Sequence, residues 1–191
     1  MIYRFMFCAY NKTGNLKVLP NESISHLSVC RFRDMVFIYF ESRNHSVNPD
    51  EVVSGDFIPF PDGQLFFRMS EVFHYSKPLS DQHWARKIKN KQGRMDVIFL
   101  DPEKIQSYFF YHYQYQEEKP GDGDKYGIIF IYKNLLVFYL EDPCEPETED
   151  YCGALKTNNS PNGHEWSKLM SQHFLKWQDY NGEWRTIEKI L

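Results

Sequence analysis

The sequence predicts an α+β protein made of two copies of one strand-rich unit. The stretch CRFRDMVFIYFES, residues 30–42, has a counterpart one hundred residues later in FIYKNLLVFYLED, residues 130–142. Each stretch has two apolar runs around a two-residue polar turn, Arg33-Asp34 in one and Lys133-Asn134 in the other, which is typical of a β-hairpin. An internal repeat of this kind indicates a duplicated unit.

Each predicted hairpin lies between two further strand candidates. Apolar stretches precede the hairpins at residues 2–10 and 94–100, and shorter ones close the copies at residues 68–75 and 184–191. Runs of apolar, aromatic and β-branched residues of this length are typical of strands. Each copy therefore has the predicted order strand, connection, hairpin, connection, strand.

A polar segment, SKPLSDQHWARKIKNKQG, separates the two copies. We therefore predict a first half over residues 1–79, a linker over 80–93 and a second half over 94–191. Two strand-rich units with helices only in some connections belong to the α+β class.

The connections of the second copy predict two helices. In the first of them, Asp101 can cap the helix and Pro102 is tolerated in its first turn. Apolar and aromatic residues then recur at helical spacing, namely Ile105, Tyr108, Phe109, His112 and Tyr113. The second predicted helix covers residues 164–177. The corresponding connections of the first copy are rich in Gly, Pro, Asn and Asp, so the first half is predicted to be helix-poor.

Composition excludes several function classes. A net charge of −4 and a pI near 6.0 provide no electrostatic attraction for nucleic acid or a membrane surface. No stretch approaches the length of a membrane span, and we expect a soluble, cytoplasmic protein. The four cysteines show no Cys-x-x-Cys spacing, so we expect reduced thiols, no zinc site and no other metal or cofactor.

Two short motifs in the second copy point to a site. Tyr108 and His112 lie six and ten residues after Pro102, and Trp166 and Met170 lie four residues apart in HEWSKLMSQHF. Together with the hairpin YGIIFIYKNLLVFYLE, this ordered set resembles the L-rhamnose mutarotase family. In the first copy, SEVFHY and FRDMVFIYFE are similar to the closing strand and the central hairpin of that family.

The resemblance implies a fold and an activity. Members of the family have a ferredoxin-like fold that pairs into a dimeric α+β barrel. Two tandem ferredoxin-like halves would form that barrel within one chain, as a monomeric pseudo-dimer. The implied activity is interconversion of the anomers of L-rhamnose or a similar hexose, with His112 as acid/base, Tyr108 as its partner, and Trp166 and Met170 binding the sugar.

The chain also departs from the family. It has no Trp-Pro element between His112 and the second hairpin, and Ser167 stands where the family has a second tryptophan. The first copy lacks both the Tyr/His helix and the tryptophan helix. At most one of the two sites of the family can therefore be complete.

Anomer exchange needs little machinery. A proton leaves the anomeric hydroxyl, another reaches the ring oxygen, and a histidine with a pKa near neutrality can serve either step. Residues four apart on a helix share one face, so Tyr108 and His112 could reach adjacent oxygens of a pyranose. A tryptophan can stack on the apolar face of that sugar.

Each of these residues also has a structural interpretation. His112, Tyr108 and Trp166 could be core residues, and the tyrosines of the first helix could line a barrel face or an interface. His164 and His173 are predicted to be solvated. The alternative function is a catalytically degenerate module on the same barrel that binds a sugar or a protein. A monooxygenase on this barrel type rests on fold analogy alone.

Overall fold

The computed structural model describes residues 1–118, 123–148, 153–161 and 163–191. Its strands in chain order are β1 (Tyr3–Tyr10), β2 (Leu16–Val18), β3 (Ile24–Phe32), β4 (Met35–Ser42), β5 (Val53–Gly55), β6 (Phe67–Arg68), β7 (Ser70–His74), β8 (Gln92–Phe99), β9 (Ile128–Tyr132), β10 (Leu135–Asp142), β11 (Arg185–Thr186) and β12 (Glu188–Lys189). Its helices are α1 (Asp81–Trp84), α2 (Ile105–Glu118) and α3 (Gly163–Ser171). The predicted α+β class is confirmed.

The strands form two five-stranded antiparallel sheets and one small pair. Sheet 1 has the order β12-β3-β4-β1-β6, sheet 2 has the order β11-β8-β10-β9-β7, and β2 pairs with β5. Each segment that closes a half contributes to both sheets, because β6 and β12 belong to sheet 1 while β7 and β11 belong to sheet 2. In chain order, β1, β3, β4, β6 and β7 of the first half correspond to β8, β9, β10, β11 and β12 of the second half. When each strand is replaced by its counterpart, the order of sheet 1 becomes that of sheet 2.

Both predicted hairpins are confirmed with their turns. Phe32 pairs with Met35 across the first turn, and Tyr132 pairs with Leu135 across the second. The first residue of each turn, Arg33 or Lys133, has a left-handed backbone, with φ of 55° and 56°. A two-residue turn reverses the chain tightly because one of its residues adopts a positive φ.

The first predicted helix of the second half is confirmed. A 3-10 turn over Pro102–Lys104 leads into α2, and the Asp101 carboxylate accepts a hydrogen bond from the Glu103 amide at 3.1 Å. The carboxylate therefore satisfies an amide that has no partner within the helix.

The second predicted helix is shorter than the sequence indicated. It was predicted to reach residue 177, but α3 ends at Ser171. Beyond that point the backbone pairs with the end of β8, since His173 accepts a hydrogen bond from the Asp101 amide and the Leu175 amide donates to Phe99, both at 2.8 Å. Hydrogen bonds to a neighbouring strand thus replace those that would have continued the helix.

The first half is helix-poor, as predicted. Its connections contain a single 3-10 turn at Pro49–Glu51, the short strands β2 and β5, and otherwise irregular structure. Side chains from these connections cover the outer face of sheet 1, including Val47, Val52, Phe57 and Phe66. The outer face of sheet 2 is covered instead by α2 and α3.

The main core lies between the two sheets. Along β4 and β10, alternate residues point inward, as the two-residue period of a strand requires, and they include Phe37, Tyr39, Val137 and Tyr139. The rings of Tyr39 and Tyr139, at equivalent positions of the two hairpins, stack with centroids 3.6 Å apart. The duplicated hairpins thus meet face to face.

A buried ionic cluster closes one end of this core. It consists of Arg86, Glu41, Glu141, Tyr39 and Tyr139, and we call it the Arg86 cluster. The guanidinium donates to both oxygens of each carboxylate, at 2.7 and 2.8 Å to Glu41 and at 2.5 and 3.1 Å to Glu141. Each tyrosine hydroxyl donates to the glutamate two residues along its own strand at 3.0 Å. One residue between the two halves therefore joins both copies of the repeated hairpin.

The described residues include no helix that is long and apolar enough to cross a membrane. Cys8 and Cys30 are buried free thiols, and burial raises the pKa of each to about 12. Cys144 is free and exposed, and Cys152 lies outside the described residues. The two buried cysteines are therefore packing residues in their neutral form.

Candidate functional site

A cavity of about 330 Å³ lies between the two helices α2 and α3 and the outer face of sheet 2. We call it the helix-side cavity. Most of its wall is aromatic, and its lining residues are Phe73, Tyr75, Tyr108, His112, Tyr115, Ile129, Phe138, Trp166, Ser167, Met170, Phe174, Glu183 and Trp184. A concave, mainly apolar wall with a few polar groups is typical of small-molecule sites.

Helix α2 brings Tyr108 and His112 to the floor of this cavity. Their positions, four residues apart, lie on the face that packs against sheet 2, where Tyr108 is fully buried and His112 is 5% exposed. The centroids of their rings are 3.9 Å apart. The prediction that both side chains share one helix face is confirmed.

Helix α3 supplies the facing wall. The indole of Trp166 meets the His112 ring edge-on with centroids 5.0 Å apart, and it lies 4.7 Å from the Tyr115 ring. Met170 is buried one helical turn further along. The structure thus gathers the four side chains singled out from the sequence, Tyr108, His112, Trp166 and Met170, around one cavity.

The hydrogen bond at His112 determines which ring nitrogen carries the proton. The Nδ1 atom lies 3.0 Å from the backbone oxygen of Tyr108. A carbonyl oxygen only accepts, so Nδ1 donates and Nε2 of the neutral ring keeps its lone pair. The neutral imidazole is therefore able to take a proton at Nε2.

Burial changes the acid strength of the pair. Desolvation lowers the pKa of His112 to about 3, although the hydrogen bond to the Tyr108 carbonyl acts in the opposite direction. The expectation of a near-neutral histidine pKa is therefore wrong for the folded chain. Burial also raises the pKa of Tyr108 well above its usual value, so both side chains are neutral at physiological pH.

The Tyr108 hydroxyl is buried and has no hydrogen-bond partner among the described residues. Leaving such a group unpaired costs on the order of 1 to 3 kcal/mol. Because Tyr108 lines the helix-side cavity, an oxygen of a bound ligand could accept its hydrogen bond and remove that cost.

Several features of the site differ from the sequence analysis. His173, predicted to be solvated, is buried, and its ring nitrogens contact the Ser107 hydroxyl at 2.9 Å and the Leu169 carbonyl at 3.0 Å. Because α3 ends at Ser171, the chain changes direction before His173 and this side chain points into the protein. His164 is exposed, as expected.

Sequence reasoning missed part of the cavity wall. Phe138 could have been found from the two-residue period of β10, which places it on the outer face next to Leu136. Tyr75 and Trp184 lie at the ends of the predicted closing strands, Phe174 lies beyond the observed end of α3, and Glu183 has no predicted element. Only the packing of these segments onto sheet 2 brings them to the cavity.

We expect the stability of the protein to fall between pH 6.5 and about pH 3 because of His112. Unfolded chains protonate this histidine below its usual pKa of 6.5, whereas the folded chain does not until about pH 3. From pH 7 to pH 5 this linkage removes about 2 kcal/mol from the free energy of unfolding. Urea unfolding of the wild type and of His112→Phe at both pH values measures it. An equal pH dependence in the two proteins would contradict a neutral, buried His112.

The described ranges contain no group of three or more metal-ligating side chains arranged around a common point, so no residues are assigned to a metal. Comparison with known proteins yields no matching family model, no matching curated protein and no matching solved structure.

Proposed function

We propose that the chain is a mutarotase that interconverts the α and β anomers of L-rhamnose or a similar hexose. The observation that carries this proposal is the pairing of Tyr108 and His112 in one cavity. The pair combines an unpartnered hydroxyl donor with an imidazole that accepts at Nε2, across from an indole. Ring opening and closure require one proton donor and one acceptor, and no metal or cofactor.

The proposal includes a fold assignment. We infer that the halves are two ferredoxin-like units that together form, within one monomeric chain, the barrel that the L-rhamnose mutarotase family builds from two subunits. The equivalent strand orders of the two sheets support this assignment. The exchange of β7 and β12 between halves supports it further, since each pairs with a hairpin strand of the other half.

The proton transfers balance in each direction. Nε2 of His112 accepts the proton of the anomeric hydroxyl while the Tyr108 hydroxyl donates its proton to the ring oxygen. The bond between the anomeric carbon and the ring oxygen then breaks, leaving an aldehyde and a new hydroxyl. After rotation about the adjacent carbon–carbon bond, the same two protons return and the ring closes on the other face.

A neutral pair suits this reaction in a desolvated cavity. Concerted transfer creates an imidazolium and a phenolate together, so the net charge of the site stays constant. The two rings are 3.9 Å apart, and the Tyr108 carbonyl accepts the Nδ1 proton and stabilises the imidazolium. The charged forms are therefore produced where they attract each other.

Trp166 is expected to hold the sugar. A flat indole covers the C–H groups of a pyranose with little loss of side-chain entropy, and Met170 fills the adjacent wall. We expect Trp166→Ala to weaken sugar binding by about tenfold, corresponding to about 1.4 kcal/mol. The matched control is Phe110→Ala, because Phe110 is an exposed aromatic residue of α2 that does not line this cavity. Equal losses in the two variants, measured by ligand-detected NMR, would contradict the role of Trp166.

A second candidate function is a sugar-binding or protein-interaction module that no longer turns over. The observation in its favour is the burial of Tyr108 and His112, which removes both side chains from water. A pKa of about 3 makes His112 a weak base, and the raised pKa of Tyr108 makes it a weak acid. This candidate retains binding at Trp166 and has no exchange above the rate in buffer.

Saturation-transfer NMR of anomer exchange separates the two candidates. The spectra would compare L-rhamnose, L-fucose and D-glucose in buffer, with the protein, and with heat-denatured protein. An exchange rate that rises in proportion to native protein on at least one sugar supports the mutarotase. Binding without added exchange supports the sugar-binding module. Neither binding nor exchange on any of the three sugars would overturn both the mutarotase and the sugar-binding module.

A further inference from the structure

A second cavity, of about 310 Å³, lies at the end of the inter-sheet core where the two hairpin turns meet. We call it the turn-side cavity. The Arg86 cluster closes the opposite end, since β4 and β10 run from these turns to Glu41 and Glu141. The cavity is lined by five residues of the first half and five of the second, namely Tyr10, Phe32, Arg33, Asp34, Met35, Phe99, Tyr132, Lys133, Asn134 and Leu135.

These residues correspond in pairs under the repeat. Phe32 and Tyr132 end equivalent strands, and Arg33 and Lys133 begin equivalent turns. Tyr10 pairs with Met35 across sheet 1, just as Phe99 pairs with Leu135 across sheet 2. The duplication thus places two aromatic walls and two cations around one opening.

The wall of this cavity is apolar and its rim is cationic. Phe32, Tyr132 and Leu135 belong to the inter-sheet core, and Tyr10, Met35 and Phe99 pack against it. The Arg33 guanidinium lies over the rings of Phe32 and Phe99, at 5.0 and 5.9 Å from their centroids. The Lys133 ammonium lies 5.2 Å from the Tyr132 ring centroid.

The N–H donors of the Arg33 guanidinium are available for a ligand. It makes no hydrogen bond or ion pair with any of the residues that the structure describes. Asp179 attracts it only electrostatically, and that carboxylate is already bound by Arg185 at 2.9 Å. A rim with Arg33, Lys133 and the single carboxylate of Asp34 carries one net positive charge.

We propose that the turn-side cavity binds an organic carboxylate with a flat apolar body. The body would lie between the aromatic walls, and the carboxylate would accept hydrogen bonds from Arg33, whose planar fork matches its two oxygens. Lys133 adds a second positive charge from the other half. The single excess charge of the rim matches a monocarboxylate, and the cavity volume is within the usual range for a small ligand.

This inference does not depend on the sugar site, because the two cavities share no lining residue. The probe is 3-phenylpropionate, with the neutral 3-phenylpropanamide as its matched ligand. Binding would be followed by ligand-detected NMR and by tryptophan fluorescence, to which Trp177 contributes because its ring contacts Phe32 and Phe99.

The test variants are Arg33→Asn, Lys133→Asn and their combination. Asparagine tolerates the left-handed backbone of both positions, so the charges are removed without new strain in the turns. Arg43→Asn is the control, since Arg43 is an exposed arginine that pairs with Asp81 outside the cavity.

We expect 3-phenylpropionate to bind the wild type and the Arg43→Asn control equally. Its affinity should fall at least tenfold in the double variant, and the amide should bind at least tenfold more weakly than the acid. Failure of the acid to bind, equal binding of acid and amide, or unchanged binding in the double variant would each overturn the proposal. Binding that is lost in Trp166→Ala would assign the probe to the helix-side cavity and would also overturn it.

Discussion

Replacing Arg86 by methionine is expected to lower the free energy of unfolding by about 3 to 5 kcal/mol. The change removes the only guanidinium in the Arg86 cluster and leaves Glu41 and Glu141, 1% and 3% exposed, facing each other without a cation between them. Removing one partner of a buried ionic group is costly because the remaining charge is not solvated. Urea unfolding at pH 7 measures the loss.

The pH dependence provides a second measure of the same effect. In the wild type, burial raises the pKa of Glu41, but hydrogen bonds and charge from Arg86 outweigh it and the pKa is lowered overall. The ionised Glu41 carboxylate therefore stabilises the fold at neutral pH, and this stabilisation is lost on acidification. Without Arg86 the pKa should lie above its usual value, so the carboxyl can become neutral under mildly acidic conditions. The difference in the free energy of unfolding between Arg86→Met and the wild type should therefore be smaller at pH 5 than at pH 7.

Two further variants distinguish the cluster from a general effect of losing an arginine. Arg43→Met removes an exposed ion pair, 2.6 Å from Asp81, and should cost less than about 1 kcal/mol. Adding Glu41→Gln and Glu141→Gln to Arg86→Met makes the cluster neutral and should recover at least half of the lost stability. No recovery in this triple variant would show that uncompensated carboxylate charge is not the cause.

His112→Phe is expected to reduce protein-dependent anomer exchange by at least about 100-fold, the usual contribution of a positioned acid or base. Phenylalanine keeps the ring contacts of His112 with Phe73 and Trp166 but has no nitrogen to move a proton. The fold should therefore persist while exchange falls to the rate in buffer. Saturation-transfer NMR on the sugar that responds to the wild type measures the change.

His164→Phe is the matched control, because His164 is exposed on α3 and does not line the helix-side cavity. It should leave the exchange rate unchanged. His112→Ala is a second variant with a smaller side chain, and thermal unfolding of all three reports whether the fold is intact. Full exchange in a folded His112→Phe protein would remove His112 from the mechanism.

Local patterns in the sequence accounted for a large part of the fold. The repeated apolar runs around Arg33-Asp34 and Lys133-Asn134 predicted both hairpins because turn chemistry and strand period act over a few residues. The Asp101-Pro102 start and the spacing of Tyr108 and His112 predicted α2 and its buried face. Tyr108 and His112 were predicted to share a helix face from their spacing, whereas Trp166 and Met170 were singled out by the resemblance alone.

Long-range packing decided the rest. The sequence did not reveal that α3 stops at Ser171, because the hydrogen bonds that replace the helix come from β8. It did not reveal the Arg86 cluster either, although the repeated VFIYFE and LVFYLE stretches place Glu41 and Glu141 at equivalent positions. The cation between them comes from a segment whose composition resembled a solvated linker.

Local sequence alone was enough to predict the α+β class, both hairpins, the helix-poor first half and the shared helix face of Tyr108 and His112. Those features depend on residue type and spacing over fewer than about twenty positions. Two features could not be predicted in this way: the pairing of β7 and β12 with strands of the other half, and the burial that lowers the pKa of His112 to about 3. Both depend on which distant segments exclude water from a side chain, and desolvation is a property of the assembled fold.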